Sequence, residues 1–174
     1  MERITSMIKV GDTLPDVRLF EFMEDASEGC AVAAPGEFSA RERVAGKRVV
    51  IFGLPGAFTP TCSARHVPGY VDAAGELSAA GIDEVWCVSV NDAFVMNAWG
   101  RDLQTGGKVR MIADGNAEFC QALGLVLDLT GRGMGVRSQR YAMLVDNGMV
   151  KSLNVEAPGK FEVSDAQSIL ALLR

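Results

Sequence analysis

Arg48 to Leu54 (RVVIFGL) is a short, nearly continuous apolar run that stops at Pro55-Gly56. A chain hides such a segment by making it a central strand covered on both faces. Glu84 to Val90 (EVWCVSV) repeats the pattern. Between the two, apolar residues from Cys62 to Ala80 recur at helical spacing until Gly81 supplies a helix end. Val17 to Phe22 alternates like a half-buried strand and is followed by a polar turn, Glu24 to Gly29. Asn91-Asp92 forms a cap for a helix carrying Phe94, Val95, Ala98 and Trp99. Val109 to Ala113 predicts a third strand, and Asn116 to Leu123 a short helix ended by Gly124. Arg140 to Val145 and Met149 to Val155 flank Asp146-Asn147-Gly148, whose Asn-Gly pair favours a tight hairpin. Ser164 is placed to cap a last amphipathic helix ending near Leu173.

That order predicts an α/β chain with a central mixed β-sheet flanked by helices on both faces, which a thioredoxin-like fold fits. With 174 residues, of which 48% are hydrophobic, one sizeable core in one domain over 1–174 is expected. The formal net charge of -5, with scattered Lys and Arg, offers no basic field for nucleic acid. Met1 to Gly11 mixes charges with its apolar residues, and no run is long enough for a bilayer, so neither export signal nor membrane partner is expected. Cys30, Cys62, Cys87 and Cys120 include no CxxC pair and are too sparse for a disulfide scaffold, which suits reduced thiols in a cytoplasmic setting. No ligand spacing for a metal is present, and no bound cofactor is implied.

The chemistry concentrates in Val49 to Gly69, VVIFGLPGAFTPTCSARHVPG. A buried strand ends in a Pro-bounded loop that delivers Cys62 to the start of a helix, where unpaired N-H groups and the macrodipole favour a thiolate. Thr59, three residues earlier, can turn its hydroxyl toward the sulfur or a bound oxygen. Pro55 and Pro60 stiffen the loop. The alternative, Cys62 as a small buried hydrophobe, fits poorly between Thr61 and Ser63.

Pro55, Thr59 and Cys62 spell PxxxTxxC, and the segment resembles the active-site motif of the peroxiredoxins. GAFTPTCSARHVPGY, VSVNDAFVMNAW and RYAMLVDNGMV, in that order, resemble the type II, or peroxiredoxin-5-like, subfamily from at least Val10 to the C-terminus. The resemblance implies a thiol peroxidase acting on hydrogen peroxide and alkyl hydroperoxides, with Cys62 as peroxidatic nucleophile and Thr59 and an arginine as donors to thiolate and peroxide. It also implies regeneration by glutaredoxin with glutathione or by thioredoxin, and a homodimer. The candidate arginines are Arg132, Arg137 and Arg140. Arg140 shares a strand face with Ala142 and Leu144, where it needs an anion, and it matches the family's position. A rival from another class is a peroxide sensor in which Cys62 turnover is incidental; a disulfide reductase is disfavoured without CxxC.

Cys87, 25 residues after Cys62, stays open between two readings. Inside WCVSV it is a core thiol by default. The resemblance also matches members whose second cysteine resolves the sulfenic acid, and bridging from mid-strand would require the turn at Cys62 to unwind. Phe161 to Gln167 lacks the resolving cysteine found there in other members, which favours external thiols. His66, one helical turn past Cys62, is expected to be structural or pocket-lining rather than a catalytic base. Cys120 is expected in the core and Cys30 half-exposed without a role. Gly131, Gly133 and Gly135 precede a strand and are expected to serve a loop rather than a nucleotide.

Overall fold

A computed structural model describes residues 6–23 and 35–174. The expected turn at 24–29 and the expected half-exposed Cys30 lie outside the described residues. Among the described residues, nine strands and five α-helices follow in order: β1 Arg18–Phe22, β2 Pro35–Ser39, α1 Ala40–Val44, β3 Arg48–Gly53, α2 Val67–Ala79, β4 Glu84–Ser89, α3 Ala93–Asp102, β5 Arg110–Ala113, α4 Glu118–Leu123, β6 Val126–Leu129, β7 Gly135–Ser138, β8 Tyr141–Asp146, β9 Met149–Val155 and α5 Ala166–Leu172. A π-helical turn, Cys62–His66, leads into α2.

The main sheet runs β2-β1-β5-β4-β3-β8-β9. Its centre, β5-β4-β3, is parallel, and the outer pairs are antiparallel. Strand alternation divides two cores. Val50, Phe52 and Cys87 face α2, α3 and α5 through Tyr70, Leu77, Met96, Trp99 and Ile169. Val49, Ile51 and Trp86 point the other way, onto Ala40 and Val44 of α1 and Phe119 and Leu123 of α4. The central strands therefore read as unbroken apolar runs because both faces are covered. On β8 the same alternation sends Ala142 and Leu144 to the first core and Tyr141, Met143 and Val145 to the second, the division read from the sequence.

The expected hairpin joins β8 to β9, with Asn147 and Gly148 at φ of 47° and 83°, the pair of positive values a type I′ turn needs. The last helix differs in its cap. Asp165 caps α5 by accepting from the Ser168 amide, whereas Ser164 is fully buried and donates from N and Oγ to Glu156 Oε1. Two adjacent polar residues both suit a cap in sequence, and the buried Glu156 carboxylate claims the first. The β2-α1 unit and the β6-β7 hairpin carry no strong period and were not expected. The glycine string lies at the tip of the hairpin: Gly133 and Gly135 take φ of 71° and 65°, with a 3-10 turn before them.

Candidate active site

β3 ends at Gly53 and the chain enters a loop, Leu54 to Thr59, braced from two sides. Asn91, at the end of β4, accepts from the Ala57 amide (3.0 Å) and the Ser89 hydroxyl (2.6 Å) through Oδ1. Arg137 donates to the carbonyls of Pro55 (3.5 Å), Val90 (3.4 Å) and Met134 (2.9 Å). Arg137 is thus a clamp on the Pro55 loop. It also packs closely on Gly56, where an added Cβ would lie 2.9 Å from Nη1 and would displace the guanidinium from its clamp.

The helix expected from Cys62 is interrupted at its start. Val67 N-H reaches back to the Cys62 carbonyl, the five-residue step of a π turn. Pro68 has no N-H to give the Ala64 carbonyl, so a regular α pattern cannot run through this segment. Trp99 Nε1 of α3 donates to Ser63 Oγ at 3.0 Å and holds the turn against the first core. Cys62 is fully buried.

Arg140, just before β8, is brought onto the sulfur: Nη2 donates to Cys62 Sγ at 3.1 Å. Its other arm, Nη1, donates to His66 Nδ1 at 2.7 Å. His66 Nε2-H then donates to the Ser164 carbonyl at 3.1 Å, which also accepts from Tyr70 OH at 2.8 Å. Burial first, and then the Arg140 charge, push the His66 pKa down to about 3, so the ring is neutral and one nitrogen is free to accept from the guanidinium. His66 is a lining residue that aims Arg140, in keeping with the expectation that it is no base. Phe52 stacks on Tyr70 with ring centroids 4.1 Å apart and packs against His66 at 4.7 Å, fixing the ring in plane and position.

Thr59 sits in the loop as expected, but its hydroxyl proton goes to the Gly56 carbonyl, at 2.7 Å. What it presents beyond that bond is oxygen lone pairs. Of the three candidate arginines, Arg140 meets Cys62, Arg137 clamps the loop, and Arg132 is exposed in the 3-10 turn before β7.

Cys87 lies in mid-strand on the same sheet face as Cys62 and is fully buried. Burial, then the proximity of Cys62, raise its pKa well above the ordinary thiol value. Cys120 is also buried, its Sγ-H directed at the Ala117 carbonyl (3.3 Å), and burial followed by the Asp114 charge raises it to about 12. Both are protonated core thiols in this structure, as expected for Cys120. Among the described residues no cluster of His, Cys, Asp and Glu has metal-binding geometry.

Sequence reasoning missed the outer support. Glu156 Oε1 accepts from the amides of Glu162, Val163 and Ser164 and from Ser164 Oγ, at 2.8–2.9 Å, and so shapes the 156–164 loop whose carbonyl holds His66. Burial works against its charge, yet these donors lower its pKa. No local pattern announces a carboxylate that serves a loop six to eight residues ahead.

A buried cysteine touched by a guanidinium at the mouth of a Pro-Thr loop, on a sheet of this topology, defines a thiol-based redox protein. The Redoxin family model matches residues 9–170. Peroxiredoxin-2B of Arabidopsis thaliana is 47% identical over 166 residues, covering 95% of this chain and 98% of its own. The reduced Prx3 of Vibrio vulnificus, solved in complex with hydrogen peroxide, is 49% identical, with 97% of this chain and 100% of that chain covered at a TM-score of 0.89. A Burkholderia cenocepacia structure bearing the provisional name thioredoxin reductase is 72% identical, covers 95% and 98% of the two chains and superposes with a TM-score of 0.91. The chain belongs to the peroxiredoxins, type II, within the Redoxin family, and is a thiol peroxidase.

Proposed function

We propose that Cys62 is the sulfur that reduces the hydroperoxide, with Arg140, Thr59 and Pro55 as the residues that prepare the reaction. The observation carrying this reading is the Arg140 Nη2 to Cys62 Sγ hydrogen bond, donated by a cation that cannot release its proton. An ionised sulfur is the better acceptor for it. The thiolate attacks the terminal peroxide oxygen, the S-O bond forms as the O-O bond breaks, and the leaving oxygen takes a proton to become water or an alcohol. Arg140 supplies charge beside the oxygens as the leaving oxygen becomes negative. Thr59, with its proton committed to Gly56, accepts from the peroxide O-H and orients it. Pro55 contributes a rigid turn whose carbonyl is pinned by Arg137.

Return to the thiol consumes two equivalents of a thiol: one forms a mixed disulfide and releases water, and a second displaces Cys62. External thiols, delivered by glutaredoxin with glutathione or by thioredoxin, are the proposed source. The absence of cysteine from 161–167 and the full burial of Cys87 support that choice. Cys87 serves as resolving thiol only through opening of the first helical turn. A homodimer is proposed with it, supported by the exposed Phe58 in the active-site loop and the exposed Phe94 on α3.

Steady-state peroxide consumption with glutathione and glutaredoxin, or with thioredoxin, tests the assignment. The parent is expected to turn over continuously and Cys62→Ser to be inactive. Unchanged turnover in Cys62→Ser removes Cys62 from the mechanism, and one turnover followed by stalling with every reductant favours a peroxide sensor.

A further inference from the structure

A groove of about 380 Å³ lies over the active-site loop, far larger than two peroxide oxygens need, and Thr61, the residue before Cys62, is in its lining. Arg140, which donates to the sulfur, and Pro55 of the active-site loop are part of its wall. Leu127 and Phe161 give it apolar walls, and Arg65 and Lys160 stand in its lining, both exposed. The Phe161 ring lies between two cations, 4.9 Å from the Arg65 guanidinium and 5.7 Å from that of Arg140. The acidic member of the lining, Glu156, has Oε1 occupied by three amides and a hydroxyl. A molecule of net charge -5 thus gathers three cations around a partly apolar slot, and one of them, Arg140, also donates to Cys62 Sγ.

We propose that this groove is a subsite for the organic remainder of a carboxylate-bearing hydroperoxide, with the hydrocarbon against Leu127 and Phe161 and the carboxylate toward Lys160 and Arg65. The inference rests on the peroxidase reading of Cys62. It adds that an anionic organic hydroperoxide is preferred over a neutral one of the same shape. Charge complementarity selects the anion, and the apolar walls select a carbon skeleton between the two ends.

Cumene hydroperoxide and its para-carboxylate form the matched pair, with hydrogen peroxide as the substrate that needs no subsite. The carboxylate is expected to show a kcat/KM about fivefold above the neutral compound, the scale of a rim ion pair, shrinking as salt is raised. Lys160→Glu is expected to abolish or reverse that preference while leaving hydrogen peroxide turnover unchanged. Equal kcat/KM for the pair in the parent overturns the proposal, as does a Lys160→Glu variant that loses all three substrates alike. If Lys160→Glu instead slows only reduction of oxidised Cys62 by glutathione, and not by neutral 2-mercaptoethanol, the groove serves an anionic thiol and the peroxide assignment fails. A parent inactive toward hydrogen peroxide itself refutes the underlying peroxidase reading rather than the subsite.

Discussion

At the scale of single residues, the site depends on which atoms hold protons. Arg140 donates with both arms, to a sulfur and to an imidazole nitrogen, and the second bond requires His66 to be neutral. Arg140→Ala removes a fixed donor and its charge together, and single-turnover peroxide reduction is expected to slow about a hundredfold or more. Parent-like rates would pass the role to Arg137. His66 also predicts a pH effect on stability. Its folded pKa, about 3, lies below the ordinary 6.5, so between these values the unfolded chain binds a proton that the folded chain refuses. Stability from this group is full above pH 6.5 and falls as the solution is acidified toward pH 3. Denaturant midpoints measured over that range should decline less steeply for His66→Asn than for the parent; parallel curves would mean that the ring is not held neutral. Asp114, raised to about 6 chiefly by burial, runs in the opposite direction. For that reason the informative quantity is the difference between His66→Asn and the parent, from which the Asp114 contribution cancels.

At the scale of elements, the central strands and the helix that follows the Cys62 turn were legible because long apolar runs and Gly or Pro boundaries are local signals. The loop after β3 was legible for the same reason; Arg140, expected within a strand, lies one residue before β8. The π turn was not, since its cause combines Pro68 with tertiary bonds from Trp99 and Arg140. Ser164 was misassigned as a cap because its partner Glu156 is distant in the pattern and close only after β9 turns into the 156–164 stretch. That stretch carries its own prediction. Glu156→Gln replaces an oxygen that accepts four hydrogen bonds by an amide that supports fewer, and a loss of about 2 kcal/mol in unfolding free energy is expected. Because the Ser164 carbonyl anchors His66 and Tyr70, the peroxide rate is expected to fall with it. A stable variant with full activity would show that the loop holds its shape without the carboxylate.

At the scale of the whole molecule, the sheet places its two site-face cysteines in very different settings. Cys62 lies in a helical turn at the end of β3, with a charged donor upon it, whereas Cys87 is enclosed at mid-strand with Phe52 as its β3 neighbour. Regeneration by external thiols then leaves Cys87→Ala with turnover within about twofold of the parent, while the lost sulfur costs about 1 kcal/mol of packing. Peptide mapping after one equivalent of peroxide with glutathione should find the adduct on Cys62. A predominant Cys62-Cys87 bridge, with turnover lost in Cys87→Ala, would instead make the buried thiol the resolving one.

The wide turn at Cys62–His66 holds one residue more per hydrogen-bonded step than the helix it feeds. That surplus is slack. The segment can unreel toward an approaching reductant while α2 stays seated through Tyr70, Ala73 and Leu77. Hydrogen exchange should register the difference: amides of the turn are expected to trade with solvent through small, frequent openings, and those from Tyr70 to Leu77 only when the domain unfolds.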